Sequence, residues 1–354
     1  MNKLLFLSLV LICSCGKGGS NVPDPAPTKQ LTIKAVDASF IPEIRTFGIS
    51  TKNRAGVTED MLTTLKNEGV NTIRIRLWKD PANTHSGFNE VKSFAQEIKT
   101  LGMKVWITVH YSDTWADPGA QQKPAAWAAA SFAQLKDSVY YYTKKIVTEI
   151  NPEYIQIGNE INGGLIWPDG NYSNMGQMTE LLRQGIKGVR DQSSQTKIML
   201  HYAGFTNATS FYSNFSALDY DIIALSYYPM WHGKNLDLLQ SSLNTLSTQF
   251  NKDIVIAETS YPFTFGWNDY TNNVIGQSDQ ILAEYPATEQ GQKDFLQKMK
   301  TIMLNTPKGT GLCYWGAEFI AFKGNVSTNC SSWENQALWD FSNKALPAIS
   351  VFKN

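Results

Sequence analysis

Eight short runs rich in β-branched and aromatic residues, each followed by a longer amphipathic stretch, predict an α/β protein folded as a single (β/α)8 (TIM) barrel. Two further observations favour the closed barrel. The runs read as nearly continuous apolar segments, as parallel strands covered on their outer face do. None is followed by the G-x-G-x-x-G or G-K-[ST] loop that a doubly wound open sheet usually carries. Eight such units fill roughly 300 residues, so no second domain is required.

The strand runs, in order, are TFGIS (46–50), NTIRIRLW (71–78), KVWITVHY (104–111), YIQIGNE (154–160), KIMLHY (197–202), DIIALSYY (221–228), DIVIAETS (253–260) and GLCYWGAEF (311–319). Helical patterns lie between them. TEDMLTTLKNEG has Thr58 as its expected N-cap and Gly69 just past its C-terminus, and NEVKSFAQEIKTLG and ATEQGQKDFLQKMKTIMLN follow the same plan.

The N-terminus reads as an address. Lys3 precedes the apolar run Leu4 to Ile12, too short to span a bilayer and of the length of a secretory signal. Ile12 to Cys15 resembles a bacterial lipobox, which implies a signal peptide over residues 1–14, cleavage before Cys15 and lipid attachment there. Residues 15–30 are rich in Gly, Pro and Ser and read as a flexible tether, with the barrel expected over 31–354. The expected location is therefore the bacterial envelope, periplasmic or cell-surface, with the membrane touched only through the lipid. Cys313 and Cys330 are the cysteines outside the leader, and an exported chain is compatible with either a bridge or two free thiols.

Lysine plus arginine equals aspartate plus glutamate at 31 each, so the neutral chain has no electrostatic footprint for nucleic acid. Ten tryptophans and fifteen tyrosines are the more telling excess, since flat aromatic faces suit the apolar faces of sugars. A monomer is expected.

Active residues of such barrels collect at the C-terminal ends of the strands. Polar and ionisable residues do gather there: Arg76 and Trp78, His110 and Asp113, Asn159 and Glu160, His201, Tyr227 and Tyr228, Glu258, and Trp315 with Glu318. Glu160 and Glu258 close the fourth and seventh strands, which face each other across the mouth. Two opposed carboxylates are what glycosidic cleavage needs: one donates a proton to the leaving oxygen, and the other attacks or activates water.

GNE (158–160) and the ET after strand seven resemble the clan of retaining (β/α)8 glycoside hydrolases. HYSDTWADPGAQQKPAAW (110–127) resembles glycoside hydrolase family 53, the endo-β-1,4-galactanases, much more specifically. SYYPMWHG (226–233) and VIAETSYPF (255–263) are similar to that family's other signatures. The resemblance runs from about Phe47 to Asp340. It implies a retaining, endo-acting hydrolase of β-1,4-galactan and type I arabinogalactan, with Glu160 as general acid/base and Glu258 as nucleophile. Alternatives are a sister enzyme of the clan acting on another β-1,4-glycan, and a catalytically silent glycan-binding lipoprotein.

Asn159 is expected to meet the sugar 2-hydroxyl. Arg76 and Tyr228 are the expected partners of Glu258, with Arg74 a buried structural ion pair. His110 and Asp113 are expected to orient the nucleophile or a substrate hydroxyl. Trp315 is expected to form the floor under the cleaved sugar, and Trp115, Trp231 and His232 the stacking platforms. Bacterial members of the family often hold calcium in the loop after strand seven. Here FGWNDYTNNVIG (265–276) offers Asp269 and asparagines but no histidine, so no metal ligand or cofactor is assigned and calcium around Asp269 stays open. Gly316, following Trp315, stands where a bulkier or acidic neighbour is expected.

Overall fold

A computed structural model describes residues 29–353; the leader, Cys15 and nearly all of the expected tether lie outside them. Eight parallel strands close into a barrel. They are β1 (Ile33–Asp37), β2 (Thr72–Leu77), β3 (Lys104–Val109), β4 (Tyr154–Ile157), β5 (Lys197–Ala203), β6 (Ile222–Ser226), β7 (Asp253–Glu258) and β8 (Gly309–Tyr314). Each pairs with its chain neighbours, and β1 closes the ring on β8. No helix among the described residues is long and apolar enough to cross a membrane.

Seven of the expected strands are present; the first is not where it was expected. TFGIS straddles the end of helix α1 (Ile41–Thr46), which Pro42 helps to start, and Phe47 beyond it is 48% exposed. The first strand lies upstream, where Val36 and Ala38 join the outer core while Ile33 and Ala35 face the barrel interior. The next helix, α2 (Met61–Asn67), is capped by Asp60 and not by Thr58: the Asp60 carboxylate accepts from the backbone N–H of Leu62 at 2.9 Å. A carboxylate caps as well as a hydroxyl and also complements the positive end of the helix dipole.

Strand alternation sorts the side chains into two cores. On β2, Ile73, Ile75 and Leu77 point outward into the shell shared with the helices, so Thr72, Arg74 and Arg76 point into the barrel. The outer shell receives amphipathic helices such as α3 (Phe132–Ile150), which starts at a Ser131/Gln134 capping box and buries Leu135, Val139, Ile146 and Ile150. The lower barrel is filled by Ile33, Ala35, Trp106, Tyr154, Met199, Ile222, Val255 and Cys313. Above that apolar plug, at the upper end of the barrel, Arg74, Gln156 and His201 each make side-chain hydrogen bonds.

The seam between β1 and β8 pairs Ile33 with Gly311 and Val36 with Tyr314. A Cβ on Gly311 would stand 2.4 Å from the Ile33 Cβ, so only glycine lets the closing strands approach this closely.

Candidate active site

The turn after β4 sets the first carboxylate. YIQIGNE leaves the strand after Ile157 instead of running on to Glu160. Gly158 at φ +82° reverses the backbone, where any Cβ would meet the Ile161 side chain at 2.5 Å. Glu160 itself takes a left-handed φ of +44°, a conformation that costs a non-glycine residue energy and recurs at functional sites. Gln121, from the loop after β3, braces this turn by donating from Nε2 to the carbonyl of Asn159 at 2.8 Å. The second carboxylate, Glu258, is the last residue of β7, and a register shift in the β6–β7 ladder brings Ser226 opposite it.

One oxygen of Glu160 and one of Glu258 lie within 4.8 Å of each other, with a ring nitrogen of His201 in the same cluster. The two acids are held differently. Glu258 is buried, ion-paired to Arg74 Nη2 at 2.6 Å, and accepts from the Tyr228 hydroxyl at 3.1 Å. Arg74 is itself shared with Asp37 on β1 at 2.7 Å and donates to Asn159 Oδ1 at 2.9 Å. Among the described residues Glu160 has no cation in contact; its near partner is the Ser226 hydroxyl, which donates to Oε1 at 2.5 Å.

Those surroundings separate the two protons. Burial, and then the charge of Glu258, pushes Glu160 up to about 8. Burial also raises Glu258, but Arg74 and the Tyr228 hydroxyl pull it back. The ion pair with Arg74 favours the charged form of Glu258, whereas Glu160, lifted further by the charge of Glu258, is the better holder of a proton that the pair shares. The arrangement can donate a proton from one side of a bond while an ionised carboxylate waits on the other.

Behind Glu160 runs a hydrogen-bond chain with one direction. Gln156 Nε2 donates to His201 Nδ1 at 2.7 Å, and the Glu160 backbone N–H reaches the same nitrogen at 3.3 Å. The imidazole proton is thus on Nε2, which donates to Ser226 Oγ at 2.9 Å, and Ser226 donates onward to Glu160. Burial and the charge of Arg74 hold His201 neutral, far below its usual range. With both ring nitrogens committed, His201 serves the acid and is not free to ligate a metal.

This chain makes a prediction about pH. An acid that must stay protonated loses activity as pH rises through its pKa, so kcat/KM falls above about pH 8. Ser226 stabilises the ionised form, and Ser226→Ala is expected to move that alkaline limb to higher pH by about one unit. An unmoved limb in the variant's pH–rate profile would show that the serine does not tune Glu160.

A cleft of about 870 Å³ crosses the mouth, lined by Arg76, His110, Trp115, Asn159, Tyr228, Trp231, His232 and Trp315 among others. Trp315 is half-buried at its centre, while Trp115 and Trp231 are 39% and 49% exposed on its walls. His110 accepts from the Ala116 backbone at Nδ1, and burial beside Arg76 and Arg74 keeps it neutral. Asn159 also donates from Nδ2 to the Ala116 carbonyl at 2.8 Å, which fixes its amide at the cleft edge.

Two expectations need correction. The arginine partner of Glu258 is Arg74 and not Arg76: Arg74 meets the carboxylate at 2.6 Å, while Arg76, two residues further along β2, gives its Nε to Ser86. Asp113 does not reach the cleft. It accepts from the backbones of Asp80 at 3.0 Å and Ala125 at 2.8 Å, tying the loops after β2 and β3 together. Among the described residues Cys313 and Cys330 are not bridged to each other.

Asp37, Ser226, Gln121 and Trp333 were missed as site residues. Trp333 is 8% exposed, donates from Nε1 to Ser260 Oγ at 2.9 Å and meets Trp315 edge-on with centroids 4.8 Å apart. It also explains Gly316: a Cβ there would stand 2.9 Å from the Trp333 ring, so the glycine makes room for the indole.

The model of glycosyl hydrolase family 53 matches residues 33–352. An endo-β-1,4-galactanase of Bacillus subtilis is 32% identical, the alignment covering 91% of this chain and 85% of the relative. An arabinogalactan endo-β-1,4-galactanase of Aspergillus niger is 30% identical over 92% of this chain and 95% of its own. Among solved structures, the family 53 catalytic domain of Ignisphaera aggregans is 37% identical with a TM-score of 0.86, covering 93% of this chain and 98% of that one.

Proposed function

The chain belongs to glycosyl hydrolase family 53, and from that premise we propose that it is an endo-acting hydrolase of β-1,4-galactan and type I arabinogalactan. The curated galactanases it resembles over most of their length support the substrate. The observation that carries the mechanism is the approach of the two carboxylates within 4.8 Å, one of them ion-paired and the other not. Retaining glycosidases hold their carboxyl groups about 5 to 5.5 Å apart, whereas inverting ones leave about 6.5 to 9.5 Å for a water between them.

The reaction proceeds by double displacement. A carboxylate oxygen of Glu258 attacks the anomeric carbon, the glycosidic C–O bond breaks, and the Glu160 proton goes to the departing sugar oxygen. Glu160, now ionised, takes a proton from water, and that water displaces Glu258 from the same anomeric carbon, so configuration is retained. Arg74 and Tyr228 hold the nucleophile ionised and aimed. Trp315 and Trp115 offer faces to the sugar rings.

A panel of polysaccharides tests the substrate. Galactan should yield short galacto-oligosaccharides while xylan, mannan and β-glucan are spared; attack on one of those in preference to galactan would overturn the reading. Export and lipid attachment at Cys15 are proposed from the leader alone. Labelling with a radioactive fatty acid should be lost in Cys15→Ala, and unlabelled wild type would remove the anchor.

Calcium fits in kind where the loop after β7 meets the segment after β8. Asp269 and Glu334 are both buried, each with one carboxylate oxygen bonded to a backbone N–H and the other, Oδ2 and Oε2, without a partner. The Asn273 and Asn335 side-chain oxygens are likewise buried and unpartnered. Burial, and next the charge of Asp269, lifts Glu334 to about 6. Asp269 and Glu334 would hold the ion, with the amide oxygens supplementing them, and the cation would neutralise two like charges. No step of the hydrolysis passes through it. Calcium is expected to raise Tm by a few degrees over chelated protein, and identical melting curves would remove the site.

A further inference from the structure

Two arginines rise from β2 into the barrel mouth, and they are treated oppositely. Arg74 has two carboxylates in contact, Asp37 and Glu258. Arg76, two residues on, is 4% exposed and makes no ion pair among the described residues. Its Nε donates to Ser86 Oγ at 3.0 Å, and no other side-chain hydrogen bond of its guanidinium occurs among the described residues. The faces of the guanidinium are covered by Trp115 at 4.1 Å, Phe40 at 4.5 Å and Trp78 at 4.6 Å. Those rings brace the guanidinium, whose terminal nitrogens have no side-chain hydrogen bond among the described residues, and Arg76 lines the cleft.

Taking a cation out of water is costly unless an anion accompanies it. None of the nearby acids pairs with it among the described residues. Asp37 serves Arg74 and Ser39; Glu43, on the same wall, leans to Lys323 at 3.8 Å. Glu318 gives one oxygen to the Phe40 backbone N–H at 2.7 Å and leaves the other without a partner, and burial pushes its carboxyl up to about 8, toward the uncharged form. Burial accordingly drags Arg76 down to about 10, in contrast to the stabilised Arg74. A clamped planar fork with open terminal N–H groups matches a carboxylate bidentately, which a neutral hydroxyl cannot do.

We infer that Arg76 is the recognition group for a carboxylate-bearing sugar, a uronate, bound in the cleft beside the cleavage point. The inference rests on the hydrolase reading and adds to it: the substrate chain is not uniformly neutral where this wall meets it.

The test uses β-1,4-galacto-oligosaccharide in its neutral form and after oxidation of C6 to the carboxylate. Wild type is expected to cleave the oxidised substrate with kcat/KM raised several-fold, an advantage that fades with added salt. Arg76→Gln should cost the oxidised substrate about 10-fold more than the neutral one, and Arg76→Lys, which keeps charge but not the fork, should fall between. Equal losses on both substrates would overturn the proposal and leave Arg76 a packing residue. Calorimetric titration of wild type with oxidised and neutral galactotriose reads the same preference without turnover or a variant; equal affinities would also overturn it. Failure to cut neutral galactan at all would instead strike the parent reading, and the titration would still decide this one.

Discussion

Glu258→Ala is expected to lower kcat/KM on galactan by on the order of 10⁵-fold, with the protein still folded. The magnitude follows from the loss of a covalent route and not of a binding contact. Removing this carboxylate leaves Arg74 paired with Asp37, so the buried cation does not become an orphan and the melting temperature should move little. The telling measurement is rescue. Azide entering the vacated space attacks from the face the carboxylate occupied, so an activated β-galactoside should give the α-galactosyl azide. A β-product, or no rescue with the variant intact by circular dichroism, would remove Glu258 from the nucleophile's role.

Glu160→Ala should act differently on different substrates. On galactan, whose leaving oxygen needs a proton, a loss of about 10² to 10⁴-fold is expected. A dinitrophenyl galactoside leaves without help, so its first step should survive while breakdown of the glycosyl-enzyme slows. KM should then fall together with kcat, and azide should return the β-azide. The alkaline limb near pH 8 should vanish as well, because the group that titrates there is gone. Equal losses on both substrates would mean that Glu160 does not deliver the proton.

The barrel and its two acids were legible because both are written locally. A buried parallel strand must be apolar along its length, and a carboxylate ending such a run stands out against the cost of burying it. The first strand was harder: TIKAVD is short, carries Lys34 and follows a Pro-rich stretch, while TFGIS imitates a strand without burying Phe47. The choice between Arg74 and Arg76 depends on the stagger of β2 against β7, a property of the closed barrel and not of either strand. Ser226 escaped notice for a similar reason. Its hydroxyl matters only because a register shift aligns β6 with the end of β7. Asp113 misled in the other direction, since an acid beside a strand end can serve backbone N–H groups and never face the cleft.

The ring is sealed by its first strand meeting its last, Ile33 against Gly311, and this sets a timetable for the whole molecule. Asp37 arrives early in synthesis, yet Trp315, which lines the cleft, lies almost at the other end of the chain. Contacts that distant cannot form until nearly every residue exists, and they form slowly. Competence therefore comes all at once, and a nascent chain stopped short of Tyr314 would be an inert precursor, not a feeble catalyst.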